Sequence, residues 1–229
     1  MAIYKKRFED EIRHANSSQS YLSQTKSVKE RSDPDNILVL GCGALAGEIQ
    51  CLIRANNWNH VKTQYLPAKL HNTPERIVNE LRDKLNTAKK KFSNILVGYA
   101  DCGTGGKIDL LMKEMSIQRL PGHHCYEFFS GNRKFNELME EEIGSFFLTD
   151  FLVKAFEKLI WEGMKIDRHP ELLGIYFKNY KRLVYLAQVK NNLLRVKAEE
   201  IAKRLELKFE YRFTGYGDLR SSLSKFVNP

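Results

Sequence analysis

Residues 94–115 read NILVGYADCGTGGKIDLLMKEM. The opening NILVGY is a short, continuous apolar run of the kind that forms a buried strand. DCGTGG then breaks the pattern with three glycines, and the apolar residues of KIDLLMKEM recur at helical spacing. The stretch predicts a strand, a tight loop and a helix, with Cys102 in the loop.

The same order occurs upstream. Residues 36–40 (NILVL) form an apolar run, Gly41-Cys42-Gly43 supplies the turn, and residues 44–55 (ALAGEIQCLIRA) carry helical periodicity. A third unit begins at residues 117–120 and runs into PGHHCYE, where Cys125 again follows a short strand. Between the first two units, residues 60–66 suit a strand, and Thr73-Pro74-Glu75 opens a helix with an N-cap, a first-turn proline and an acid. Alternating strands and helices predict a three-layer α/β/α fold with a mainly parallel sheet, whose functional loops gather beyond the strands' C-terminal ends.

Downstream, residues 145–164 (SFFLTDFLVKAFEKLIWEGM) read as one helical stretch with a core-facing aromatic set. A turn at 167–172 precedes a helix near 175–180. Residues 182–187 then suit a strand, 191–205 a helix, 208–213 a strand, and the end of the chain a last helix. Residues 1–35 are polar and rich in Ser, Gln, Lys and Glu, and predict an N-terminal extension with a helix at 4–15. The α/β domain is expected to span 36–229.

Lys and Arg outnumber Asp and Glu by 37 to 28, a net charge of +9 that suits an anionic ligand or partner. The basic residues are scattered in small groups, at 5–7, 89–91 and 178–182, and form no nucleic-acid-binding motif. No apolar run approaches the roughly 18 residues of a membrane span, and the polar, acid-containing start does not resemble a signal or transit peptide. A cytoplasmic protein is expected. Its four cysteines are then metal ligands, nucleophiles or core residues and not a disulfide framework.

Cys42, Cys102 and Cys125 directly follow predicted strands, whereas Cys51 lies within a helix. In a parallel sheet those three thiols emerge at one edge. Thiolates are soft ligands for zinc or an iron–sulfur cluster, and His71 or His124 could complete the set. Two other chemistries fit the same loops. Gly103, Gly105, Gly106 and Lys107 could cradle an anion at a helix N-terminus, although the spacing is neither that of a P-loop nor, at Gly41-Cys42-Gly43, that of a dinucleotide fingerprint. A thiol could also be a nucleophile, Cys102 beside Asp101 or Cys125 beside His124. Glu48, Asp101 and Glu127 are the carboxylates placed for proton transfer or for supporting the ligands. His169 and Asp150 are read as structural.

The motifs CGALAGE, LHNTPE, DCGTGG, PGHHCYEFFSG, FFLTDFLVKAF and DRHPELLGIYFKNYKRLVYLAQ resemble, in order, those of a prokaryotic family of unknown function, DUF 1638, over about residues 36–225. The resemblance sets Cys42, His71, Asp101, Cys102, His124, Cys125 and Glu127 in the shared blocks, and departs from them at Ser145, where a threonine is expected. Some members are associated with corrinoid-dependent methyltransferase systems for methylated amines. The resemblance therefore implies a small substrate of methyl-group or one-carbon metabolism, and a corrinoid protein or methyltransferase as partner. The expectation is a metal- or iron–sulfur-binding protein; the alternative is a metal-free accessory protein that holds an anion or a corrinoid partner through its glycine loops.

Overall fold

The computed structural model describes residues 36–228; the polar extension and its helix at 4–15 lie outside the described residues. The chain runs through two parallel sheets. The first has the order β2-β1-β3-β4, from β1 (Ile37–Cys42), β2 (Val61–Leu66), β3 (Asn94–Gly98) and β4 (Gln118–Arg119). The second has the order β5-β6-β7, from β5 (Ser145–Thr149), β6 (Arg182–Ala187) and β7 (Lys208–Phe213). The predicted class is borne out, with the strands divided between two sheets.

Period-2 alternation explains how each sheet is covered. In β1, Ile37 and Val39 face one core and Leu38 and Leu40 the other. The Leu38 face packs on α2 (Pro74–Ala88) and α3 (Lys107–Met115) through Ile77, Leu81, Leu85, Ile108 and Leu111. The Val39 face packs on α1 (Ala46–Ala55) and α4 (Cys125–Ser130) through Ile49, Leu52, Phe128 and Phe129. Gly41 and Gly98 pair across β1 and β3, where a methyl group on Gly98 would lie 3.1 Å from the Gly41 Cα. Their bareness leaves room for the Ile49 side chain.

In the second sheet, α5 (Asn132–Glu141) covers one face, with Phe135 and Leu138 against Phe147 and Val184. The other face is covered by α6 (Asp150–Phe156) and α8 (Asn192–Arg204), while the short α7 (Leu172–Phe177) adds Phe177 to that core. The last helix, α9 (Gly217–Val227), follows β7 yet buries Leu219, Leu223 and Val227 in the core beneath α1. The end of the chain thus ties the second half back to the first. Among the described residues no helix is long and apolar enough to cross a membrane.

One element differs in kind from expectation. Residues 145–164 are not one helix: residues 145–149 are the strand β5, and α6 begins at Asp150. Three consecutive apolar residues, Phe146 to Leu148, in a strand covered on both faces give no alternation to distinguish strand from helix. The boundary was nevertheless written in Thr149-Asp150, because the Thr149 hydroxyl accepts from the Leu152 amide at 3.3 Å as an N-cap and Asp150 supplies the acidic first turn. Helix α6 continues as a π-helical turn, Glu157–Trp161, whose Leu159 carbonyl accepts from Asn72 Nδ2 at 3.1 Å. At α2, by contrast, Thr73 makes no side-chain cap, and Pro74 with the acidic Glu75 marks the start.

Candidate functional site

The predicted cysteine loops meet. Cys42 ends β1, and its sulfur accepts from the Ala44 amide at 3.5 Å. Cys102 sits in a left-handed conformation, φ +50°, at the start of a tight loop. Cys125 opens α4. The loops are stitched directly together: the Asp101 amide donates to the Gly122 carbonyl at 3.2 Å and the Cys102 amide to the His123 carbonyl at 3.0 Å. This pairing brings a residue that follows β3 beside one that follows β4.

All three thiols line one cavity of about 130 Å³, with His71 and Asn72 also on its wall. The rest of the wall is largely aromatic and aliphatic, and comes from both halves: Tyr99, Tyr126 and Phe129, then Phe146, Phe147 and Phe151. Residues 145–164, expected to be core alone, therefore supply much of the site. Cys51 does not line it and lies beside Tyr216.

The electrostatics are those of a largely apolar cavity. Burial raises the pKa of each thiol; the neighbouring Cys42 raises Cys102 further, to about 12, and Cys102 and Cys42 together raise Cys125. The three groups are close enough to oppose one another's ionisation, and all are protonated at pH 7. His71, at the solvent-facing rim, has its pKa lowered by partial burial and by nearby His124, so its imidazole is neutral. The His124 ring itself packs near Tyr126 and Phe135, at 6.2 and 6.1 Å between centroids, and is not part of the cavity wall.

The three candidate carboxylates have separate settings. Asp101 Oδ1 accepts from the Thr104 hydroxyl at 2.7 Å and the Gly106 amide at 2.8 Å, and Oδ2 from the Gly105 amide at 3.1 Å. Burial opposes its charge, but these bonds, with Arg119 nearby, hold its pKa below the usual carboxylate range. Two of the amides that an external anion would use are thus taken by the chain's own carboxylate. Gly103 and Lys107 are exposed. Asp101→Asn, which would weaken charge-assisted bonds to two amides, should cost about 2 kcal/mol in denaturant unfolding.

Glu127 does the corresponding work in the third loop. Its Oε1 accepts from the His123 and His124 amides at 2.9 and 3.0 Å, and its Oε2 from Asn132 Nδ2 at 3.1 Å. Gly122 faces it at φ +113°, where a methyl group would lie 2.9 Å from Glu127 Oε2. Gly122→Ala should therefore lower stability by about 2 kcal/mol, measured as a fall in the urea midpoint.

Glu48 lies in the first turn of α1, buried, and its Oε2 has no hydrogen-bond partner. Burial raises its pKa to about 7, opposed in part by Lys154, while Asp150 adds to the rise. It does not line the cavity. Because the folded state keeps this proton up to about pH 7 whereas the unfolded state releases it near 4.5, stability should fall as pH rises through that window, by up to about 3 kcal/mol. Glu48→Gln should flatten the profile, matching the parent near pH 4.5 and exceeding it at pH 8.

Tyr99 was not singled out by the sequence. It follows β3, is almost fully buried on the cavity wall, and its hydroxyl has no hydrogen-bond partner of normal geometry. It stands close enough to Cys42 that each disfavours or aids the other's ionisation, and burial sends its own pKa well above that of free tyrosine. A polar atom in an apolar run gave no periodic signal. As the side chains stand, no three His, Cys, Asp or Glu groups among the described residues are assembled for a metal ion. Three thiols and a neutral imidazole do line one cavity, and sulfur and imidazole nitrogen are donor types that soft metals take.

These features define a parallel α/β protein whose strand-end loops carry thiols into an aromatic-walled cavity. The chain belongs to the family described as "Protein of unknown function (DUF1638)", whose family model matches residues 65–223. The matched span includes His71, Tyr99, Cys102 and Cys125, and Cys42 lies before it. Searches of curated proteins and of solved structures returned no match.

Proposed function

We propose that the protein holds a soft metal, a zinc ion or an iron–sulfur centre, through Cys42, Cys102 and Cys125 with His71, and acts there on a small substrate. The observation that carries this reading is the presence of all three strand-end thiols and one imidazole on a single cavity wall. A bound metal would supply Lewis acidity or a redox centre at the thiol end of the cavity.

The chain's own residues prepare the place. Asp101 and Glu127 fix the two loops that bear Cys102 and Cys125, and the second-half aromatics supply much of the cavity's apolar wall. His71, neutral at pH 7, has a nitrogen lone pair free to ligate. The alternative, an anion held by the glycine loop, is disfavoured by Asp101, which already occupies the amides of Gly105 and Gly106. A substrate of methyl-group or one-carbon metabolism, with a corrinoid protein or methyltransferase as partner, is the setting the family resemblance implies.

Because ligation removes protons from thiols whose pKa values lie above 9, zinc affinity should rise with pH from 6 to 9, read by competition with a chromogenic chelator. A pH-independent affinity would contradict thiolate ligation. Elemental analysis and visible absorption of anaerobically purified protein test the reading as a whole. Zinc without colour, or iron with a broad sulfur-to-iron absorption, supports it, whereas protein that takes up neither metal on reconstitution overturns it.

A further inference from the structure

His71 is held by more than its place after β2. It lies in a 3-10 turn, Ala68–Asn72, that joins β2 to α2, and glycines of two cysteine loops pack against the chain on either side of that turn. A methyl group on Gly43, next to Cys42, would lie 3.0 Å from the Leu66 carbonyl oxygen and 3.2 Å from the Ala68 nitrogen. At the other end, a methyl group on Gly103, next to Cys102, would lie 3.8 Å from Pro74 Cγ. The turn that bears His71 is thus seated against the residues that follow two of the three thiols.

Its last residue is tied to the second half of the chain. Asn72 Nδ2 donates to the Leu159 carbonyl at 3.1 Å, and that carbonyl belongs to the π-helical turn Glu157–Trp161. Such turns recur at functional sites. Leu159 and Ile160 stand on the same cavity wall as His71 and Asn72, so the bond clasps two segments of one wall together. Gly163 leaves the room for it: a methyl group there would overlap the Leu159 carbonyl oxygen and lie 2.9 Å from Asn72 Nδ2. We propose that Asn72 is a positioning residue, whose clasp to the π-helical turn holds His71 on the wall it shares with Cys42, Cys102 and Cys125. The inference rests on the reading of that wall as a metal site, and it adds a residue that touches neither metal nor substrate.

Cobalt(II) titration of the full chain under anaerobic conditions, in the parent and in Asn72→Ala, His71→Ala, Gly163→Ala and the Asn72→Ala/His71→Ala double variant, tests the clasp. Asn72→Ala should lower cobalt affinity by about 10-fold, the lower end of what groups that support a metal ligand are worth. Gly163→Ala, which displaces the same bond from the carbonyl side, should do the same. The sulfur-to-cobalt band should persist in every variant, since all three thiols remain. The double variant should bind no more weakly than His71→Ala alone, because Asn72 then has no imidazole left to place. Asn72 is exposed, so metal-free Asn72→Ala should unfold at nearly the parent's urea midpoint. Parental cobalt affinity in any of the three single variants would overturn the proposal, and so would a double variant weakened by the product of the two single effects. In either case a parent that binds cobalt through sulfur leaves the metal reading standing, whereas a parent without the sulfur-to-cobalt band sinks that reading and this inference with it.

Discussion

Cys102→Ser should lower zinc affinity by more than about 100-fold, while Cys51→Ser should change it by no more than about twofold. The first removes a thiol from the cavity wall; the second alters a cysteine on α1 that does not reach it. The scale follows from what surrounding groups alone are worth, since loss of a residue that merely supports a ligand already costs about 10- to 100-fold. Serine preserves size and polarity but not softness, so the comparison isolates the sulfur. Both proteins should unfold at similar denaturant concentrations when metal-free, because neither thiol makes a strong bond in the fold. Equal zinc affinity in the two variants would remove Cys102 from the ligand set.

Asp150→Ala should be the most damaging single substitution for stability, at about 3–5 kcal/mol, seen as a large fall in the midpoint of chemical unfolding. Asp150 is buried at the start of α6, directly after β5, and its Oδ1 accepts from the Tyr185 hydroxyl at 2.7 Å and the Gln188 amide at 3.1 Å. Its Oδ2 accepts from the Val189 amide at 3.0 Å, while its own amide donates to Gln188 Oε1 at 2.8 Å. Alanine would strand a buried hydroxyl and a buried amide at once. Asp150→Asn retains one acceptor and should lose about half as much. Because β5 also carries Phe146 and Phe147 on the cavity wall, loosening this junction should weaken ligand binding before the protein unfolds.

The part of the site legible in the sequence is the part written in repeated units. Three strand-turn-helix units, each with a cysteine after its strand, put Cys42, Cys102 and Cys125 at one edge as soon as the strands are parallel. The glycine loop was legible as a tight turn but ambiguous in purpose. Only the folded loop places the Asp101 carboxylate on the Gly105 and Gly106 amides, because a self-filled and an open anion site have the same composition. The separation of His71 from His124 was likewise illegible. Both lie in strand-end loops, and their contacts depend on how the second half packs.

The second half was harder to read for a physical reason. Strand β5, buried on both faces, has no alternation, so SFFLT joined the helical pattern that follows it. That error hid the division into two sheets, and with it the origin of the aromatic wall. Tyr99 illustrates the same limit at a single residue. Its position after β3 predicts burial, but whether its hydroxyl finds a partner is decided by groups remote in sequence.

The central claim is that the three strand-end thiols act together as soft-metal ligands. Cobalt(II) titration of chelator-treated protein under anaerobic conditions addresses it most directly, because thiolate ligation produces an intense near-ultraviolet sulfur-to-cobalt absorption that oxygen and nitrogen ligands do not. The account predicts a band that saturates at one cobalt per chain, releases about three protons and is weakened in each of Cys42→Ser, Cys102→Ser and Cys125→Ser. A spectrum that stays that of hydrated cobalt, or a band untouched by all three substitutions, would contradict it.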